Sequence, residues 1–145
     1  MAELADFEAL VPAEHGLVVL TVLGPDGRMR PSVVNAGVID HPVNGTKVVA
    51  AVIQGRARKL DHLRANPRAS VVLRGGWRWA AVEGPADIIG PDDPAEEIGS
   101  ERLRLLLREI FLAAGGTHDD FDEFDRVMAA ERRAAVLIYP ERVFG

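Results

Sequence analysis

The sequence predicts a mainly β fold, a small antiparallel barrel, closed or partly closed, with a few peripheral helices. Three observations support this prediction. About six apolar runs have the length and β-branched composition of strands, and most are joined by short turn sequences rich in Gly, Pro, Asn and Asp. The two longest helical patterns come late in the chain. A chain of 145 residues fits one domain, which we assign to residues 1–145.

The first half of the chain predicts a short helix and then three successive strands. Leu4, Phe7 and Leu10 recur at helical spacing within residues 3–10. Strands are expected at residues 17–23, 29–39 and 46–53. Because the linkers between them are short turn sequences, the three strands are predicted to form an antiparallel meander.

The second half mixes strands with helices. A helix is expected over residues 56–65, where Leu60 and Leu63 recur at helical spacing and Asn66-Pro67 ends the pattern. The remaining elements are two strands, two helices and a strand, expected in that order at residues 68–74, 77–89, 95–113, 117–130 and 133–139. Gly84-Pro85 is predicted to bend the longer strand, and residues 140–145 are assigned to a tail.

Composition argues against several functional classes. The chain has no cysteine, which excludes disulfides, thiolate metal sites and a cysteine nucleophile. No apolar run approaches the roughly 20 residues of a membrane span, and the acidic start lacks the basic region of a signal peptide, so we expect a cytoplasmic protein with no membrane partner. Neither a Gly-x-Gly-x-x-Gly nor a P-loop pattern is present, and no nucleophile elbow surrounds any serine (Ser32, Ser70 or Ser100).

The histidines give weak metal-site signals. His118, Asp119, Asp120 and Asp122 could form a metal cluster, but they also fit the first turn of a helix capped by Thr117, where acids complement the helix dipole. The other histidines stand alone: His15, His41 and His62. We therefore predict no metal site.

A basic segment lies between Arg56 and Arg78. It holds seven basic residues and one acidic residue, a net charge of +6 in a chain whose net charge is −5. Such an island favours a small anionic ligand over nucleic acid, although a solvated basic face is the alternative. Arg56 and Lys59 are three residues apart at the predicted start of a helix, where free N–H groups attract anions. Cations there interact unfavourably with the helix dipole, which costs about 0.3–1 kcal/mol of stability each. A bound phosphate that offsets this cost is the favoured explanation for their presence.

Trp77 and Trp79 alternate along a predicted strand, so both rings are expected on one face. A structural aromatic pair is one interpretation, and a flat wall for an aromatic cofactor is the other.

These segments resemble a known family. The run Lys59-x-x-His62-Leu63-Arg64-x-Asn66-Pro67-Arg68-Ala69-Ser70 resembles the lysine–asparagine–leucine–arginine–arginine–asparagine/aspartate–proline–arginine signature of split-barrel flavin and deazaflavin oxidoreductases, relatives of pyridoxamine 5′-phosphate oxidase. Residues 16–35, 76–84 and 125–145 are similar to the actinobacterial branch that uses coenzyme F420. Two positions depart from the family: His62 stands where asparagine is frequent, and Val33 where some members have asparagine.

The resemblance implies a split antiparallel β-barrel that works as a homodimer, with its cofactor in a groove at the dimer interface. Carried over by position, it assigns Lys59 to the cofactor phosphate, supported by Arg56 and Arg58. It assigns the ring or ribityl chain to four strand residues: Ser32, Val33, Val34 and Asn35. Trp77 and Trp79 would approach the same groove, from the same or the second subunit.

The implied activity is hydride transfer between the deazaflavin of coenzyme F420 and an electron-poor small molecule. An FMN-dependent reductase or oxidase on the same fold is one alternative, and a non-catalytic protein that binds coenzyme F420 is another. No residue is assigned as a catalytic acid, because solvent can supply the proton.

Overall fold

The computed structural model of the protein describes residues 1–145 and contains seven strands and four helices. The strands are β1 (Leu17–Leu23), β2 (Met29–Asp40), β3 (Lys47–Ile53), β4 (Arg68–Gly75), β5 (Arg78–Ile89), β6 (Ala134–Ile138) and β7 (Arg142–Phe144). The helices are α1 (Leu4–Leu10), α2 (Arg58–Ala65), α3 (Ser100–Ala113) and α4 (Phe121–Ala130), with a 3₁₀ turn (Val11–Glu14) after α1. No helix combines the length and the apolar character needed to cross a bilayer.

Six strands close into an antiparallel barrel in the order β1-β2-β3-β6-β5-β4, and β4 pairs back with β1. This confirms the predicted antiparallel barrel and its opening meander. Two long strands, β2 and β5, each pair with one strand along their first part and with another along their second part. Residues 29–35 of β2 pair with β1 and residues 36–40 with β3, whereas β5 pairs first with β4 and then with β6.

The barrel interior is filled by apolar side chains and closed by two helices. Phe7 of α1 and both Leu60 and Leu63 of α2 are almost completely buried in this cluster. Each such side chain contributes about 1.5–3 kcal/mol through its burial. Because apolar side chains fill the interior of a barrel this small, the ligand site is expected on its outside.

Helices α3 and α4 cover the outer face of β3 and β6. Leu106 and Ile110 of α3 and Phe124 of α4 pack against buried residues such as Val48 and Leu137. Gly37 permits this close packing, because a Cβ there would lie 2.4 Å from the backbone carbon of Ala113. One half of the barrel therefore has an apolar outer layer.

The outer face of the other half is bare. Val33, Val19 and Val72 lie directly opposite one another on β2, β1 and β4, and Leu17 and Trp79 flank this row. These five residues, which we call the bare sheet face, are 39% to 61% exposed. A contiguous exposed apolar patch of this kind is typical of an interaction surface.

His41, which the sequence presents as a lone histidine, is the one buried polar residue. Its Nε2 lies 2.9 Å from Oδ2 of Asp87, and its Nδ1 accepts the Val43 N–H at 3.1 Å. The Tyr139 hydroxyl donates to the same Asp87 oxygen at 2.8 Å. The histidine therefore ties the β2–β3 turn to β5, and Asp87 links both to Tyr139, the residue after β6.

Three predicted element starts were wrong. The helix α4 begins at Phe121, and its N-cap is Asp120 in place of Thr117: the Asp120 carboxylate accepts the N–H groups of Asp122 and Glu123, both at 3.1 Å. Aspartate caps at least as well as threonine, and it lies closer to the apolar part of the helix. The helix α3 begins at Ser100, five residues later than predicted, because Ala95 and Ile98 form an isolated bridge.

The third wrong start is that of α2, at Arg58, so Arg56 precedes the helix and does not share a helical face with Lys59.

Trp77 lies in the turn before β5, fully exposed, and not in the strand beside Trp79. The predicted tail contains β7, which pairs with residues 81–83 of β5. Its three residues are too few to show a strand pattern in the sequence.

Candidate functional site

Three cations at the start of α2 have no acidic partner. Arg56, Arg58 and Lys59, which we call the basic cluster, form no ion pair, whereas two other cations of the predicted basic segment do. Arg64 binds Asp93 and Asp61, and Arg68 binds Glu141. Arg74 on β4 and Arg78 on β5 also form no ion pair, so the basic cluster is the group of unpaired cations that lies at the start of α2.

The start of α2 is open to an anion. Its N-cap residue, Ala57, provides no side-chain acceptor for the first N–H groups of the helix. The preceding loop is fixed, because the Gly55 N–H donates to the Glu131 carbonyl at 3.1 Å. A Cβ on Gly55 would lie only 2.4 Å from the Arg132 carbonyl oxygen. Unpaired N–H groups and three cations at one held position are the groups that could hold an anion.

A pocket of about 340 Å³ opens between α3, α4 and the adjoining parts of β2 and β3. We call it the helix pocket. Its walls are largely apolar and include Val52, Phe111 and Phe124, and its polar lining consists of Asn35, His118, Glu123 and Arg133. Its volume lies within the range of about 300–1,000 Å³ that small-molecule sites occupy.

The helix pocket and the basic cluster lie at the two ends of one short segment. Val52 lines the pocket, and Arg56 follows four residues later, so at most about 14 Å of chain separates them. Arg133, also in the pocket lining, directly follows the turn that contacts Gly55. One elongated ligand with an anionic group and a flat apolar group could reach both places.

Ion pairs centred on Asp125 link α4 to α3, and these two helices supply walls of the helix pocket. Asp125, whose side chain is 14% exposed, accepts hydrogen bonds from Arg104 at 2.8 Å and from Arg108 at 2.9 Å. The bonds from Arg108, and then those from Arg104, lower the pKa of Asp125 to about 2.

We expect Asp125→Asn to destabilise the protein at neutral pH by about 2 kcal/mol, because its pKa lies almost two units below the ordinary value of 3.8. A carboxylate whose pKa is lowered on folding stabilises above its unfolded pKa, and this contribution is lost as pH falls through the folded value. The difference in melting temperature between wild type and variant should therefore shrink between about pH 4 and pH 2. Asp122→Asn is the control, since Asp122 is 89% exposed and 3.9 Å from Arg108.

The strand residues predicted to bind the cofactor do not share one face. Asn35 lines the helix pocket, and Val33 belongs to the bare sheet face. Val34 packs against the barrel interior, and Ser32 shares its side of β2. Within one protomer, only Asn35 of the four lies in the helix pocket.

Trp77 and Trp79 line a different pocket of about 410 Å³, beside α1 and Gly145. Val34, Val18, Leu73 and Ala80 are successive partners across β2, β1, β4 and β5, and Asn35 and Trp79 are the chain neighbours of the first and the last. Three strand spacings, about 14 Å along the sheet, therefore separate Trp79 from Asn35. The structure does not bring the two tryptophans to the helix pocket of the same protomer.

The sequence did not indicate most of the pocket lining. Phe111, Phe124, Met128 and Arg133 come from α3, α4 and the turn before β6, and none carries a recognisable motif. The available signal is the concentration of aromatic residues around His118, where Phe111, Phe121 and Phe124 lie close by in sequence.

Known proteins share the architecture described above. A sequence model described as pyridoxamine 5′-phosphate oxidase matches residues 4–144. A conserved hypothetical protein, Rv2991 from Mycobacterium tuberculosis, has 20% identity and a TM-score of 0.69, over 99% of this chain and 83% of its own. An FMN-binding protein related to pyridoxamine 5′-phosphate oxidase from Nostoc punctiforme PCC 73102 has 16% identity and a TM-score of 0.65, over 99% and 83%. A structure described as an F420 reductase has 16% identity and a TM-score of 0.63, over 94% of both chains.

Proposed function

Because the chain belongs to the pyridoxamine 5′-phosphate oxidase family, we propose that it is an oxidoreductase that uses coenzyme F420. It would transfer hydride between the deazaflavin and an electron-poor small molecule. The observation that carries this proposal is the placement of the unpaired basic cluster and the apolar helix pocket at the two ends of residues 52–56.

The residues at both places fit such a cofactor. A phosphate group matches Lys59, Arg56, Arg58 and the free N–H groups at the start of α2. A flat ring matches the walls formed by Phe111 and Phe124.

When bound, the deazaflavin supplies the hydride chemistry. The protein contributes binding and orientation: the basic cluster holds the phosphate, and the walls of the helix pocket fix the ring and exclude water from it. No side chain is required as proton donor to the substrate, because solvent can provide that proton.

We expect coenzyme F420 to bind more tightly than FMN. Its polyglutamate tail adds carboxylates that suit the basic segment, and a structure described as an F420 reductase matches over 94% of this chain. Calorimetric titration with both cofactors at physiological salt measures the preference. Added salt should weaken the F420 complex more, because screening acts on its additional charges.

Tighter binding of FMN would instead favour an FMN-dependent reductase or oxidase, a reading that the FMN-binding protein from Nostoc punctiforme supports. Tight binding of coenzyme F420 without turnover of any added electron-poor acceptor would favour a non-catalytic binding protein.

We also propose that a second copy of the chain covers the bare sheet face. A standard interface buries about 800 Å² on each partner, roughly a tenth of the 8089 Å² surface of this protomer. Trp79 belongs to that face and Trp77 extends beyond it at the hairpin tip. In such a homodimer the two tryptophans would be placed to approach the groove of the partner subunit.

Val19→Asp is expected to convert the dimer to monomers, because it places a charge at the centre of the bare sheet face, where burial without a partner is costly. Sedimentation at micromolar concentration measures the effect. Leu105→Asp is the matched control: Leu105 lies on α3 and is 41% exposed, compared with 42% for Val19. A wild-type protein that is monomeric and still binds cofactor with full affinity would contradict the proposal.

A further inference from the structure

His118 lines the helix pocket with one of its two ring nitrogens engaged in a hydrogen bond. Its Nδ1 accepts the Asp120 N–H at 3.0 Å, so in the neutral ring the proton is on Nε2. Because Nδ1 is occupied, Nε2–H is the group that His118 can offer to a ligand in the pocket that it lines.

An aromatic cluster orients the His118 ring. The centroid of the imidazole lies 5.8 Å from that of Phe124, 5.9 Å from that of Phe121 and 6.5 Å from that of Phe111. Gly116 packs against Phe111, since a Cβ there would lie 2.6 Å from the ring. These contacts hold an exposed histidine at the mouth of the pocket.

Asn35, which lines the same pocket, has a free acceptor. Its Nδ2 donates to the His15 carbonyl at 2.9 Å, which leaves Oδ1 without a partner in the protein. The pocket lining therefore provides an imidazole N–H donor and an amide oxygen acceptor beside apolar walls.

Building on the proposed function, we propose that His118 donates a hydrogen bond from Nε2–H to a carbonyl oxygen of the flavin or deazaflavin ring in the helix pocket. Both ring systems carry the same pyrimidinedione edge, which presents a carbonyl oxygen, an N–H and a second carbonyl oxygen. The free Asn35 oxygen is complementary to the N–H of that edge. This assigns to His118 the role of a ring-binding residue, although it belongs to no motif of the basic segment.

The test uses ring ligands without phosphate, riboflavin and the corresponding deazariboflavin, so that the basic cluster does not contribute. His118→Leu removes the donor and is expected to weaken binding of the ring ligand about five- to tenfold. His118→Gln keeps an N–H donor and should stay within about threefold of wild type. Asp119→Asn, an exposed neighbour outside the pocket, should leave binding unchanged.

A second measurement is independent of binding. Long-range nitrogen–proton correlation spectra of the ligand-free protein should show His118 in the Nε2–H form at neutral pH. The Nδ1–H form, equal affinity of wild type and His118→Leu, or no binding of either ring ligand to wild type would overturn the inference.

The outcome also separates this inference from the proposed function. Lys59→Ala should weaken the phosphate-bearing cofactors and leave riboflavin unaffected. If His118→Leu weakens riboflavin binding but Lys59→Ala leaves the affinities for FMN and coenzyme F420 unchanged, the proposed placement of the cofactor phosphate is wrong. The role of His118 in binding the ring would then still stand. The reverse pattern rejects the role of His118 alone.

Discussion

Replacing Lys59 with alanine should lower the affinity for coenzyme F420 roughly ten- to a hundredfold, because a charge-assisted bond to phosphate contributes about 1.5–3 kcal/mol. Lys59 forms no ion pair, and it lies in the first turn of a helix without a side-chain cap. Its charge is therefore available to a ligand. Titration calorimetry of wild type and variant measures the change.

The same substitution should leave the cofactor-free protein as stable as wild type or slightly more stable. A cation in the first turn opposes the helix dipole, so its removal gains a few tenths of a kcal/mol. Lys47→Ala is the control, because Lys47 is the other lysine of the chain and pairs with Asp40 at the opposite end of β3 from the basic cluster. Unchanged affinity in Lys59→Ala would show that the basic cluster is a solvated surface.

Gly55→Ala is expected to lose both stability and cofactor affinity. A Cβ at this position would lie 2.4 Å from the Arg132 carbonyl oxygen and 2.8 Å from the Arg132 Cβ, closer than packed atoms approach. Relieving that contact requires backbone movement, which costs about 1–3 kcal/mol in a packed region. We expect the melting temperature to fall by roughly 4–12 °C. The basic cluster, one residue further along, would move with the loop.

Gly99→Ala is the matched control for this experiment. A Cβ on Gly99 would meet no atom within 4 Å, and its φ of −78° suits any residue. The free energy of unfolding is expected to fall by less than about 1 kcal/mol, because alanine is a weaker helix cap than glycine. If Gly55→Ala matched Gly99→Ala in melting temperature and in cofactor affinity, the contact with Arg132 would not be what positions the loop.

The strands were predictable because each combines a β-branched apolar run with turn residues at both ends. Leu17–Leu23 was predicted at its observed bounds, and β2, β3, β4 and β5 to within one residue at each end. The helix starts were less predictable, since several residues near a start can serve as caps. At α4 the choice between Thr117 and Asp120 depends on which side chain reaches the first N–H groups.

The candidate site was predictable only where its residues are close in sequence. The basic segment stood out by its charge, but the sequence could not show that Arg64 is paired with Asp93, 29 residues away, or Arg68 with Glu141, 73 residues away. The helix pocket was not predicted, because Val52 and Phe111 meet only after α3 packs on β3. Such contacts depend on the tertiary arrangement and leave no local pattern.

The position of β6 in the barrel determines when the protein can fold during its synthesis. Residues 134–138 lie between β3 and β5, so the barrel cannot close before residue 138 has been translated. Until then β3 and β5 have exposed edges that can pair with other chains. Nascent chains stalled before Ala134 should therefore be recognised by chaperones or aggregate, and contacts so distant in sequence should also make refolding slower than for a helical protein of this size.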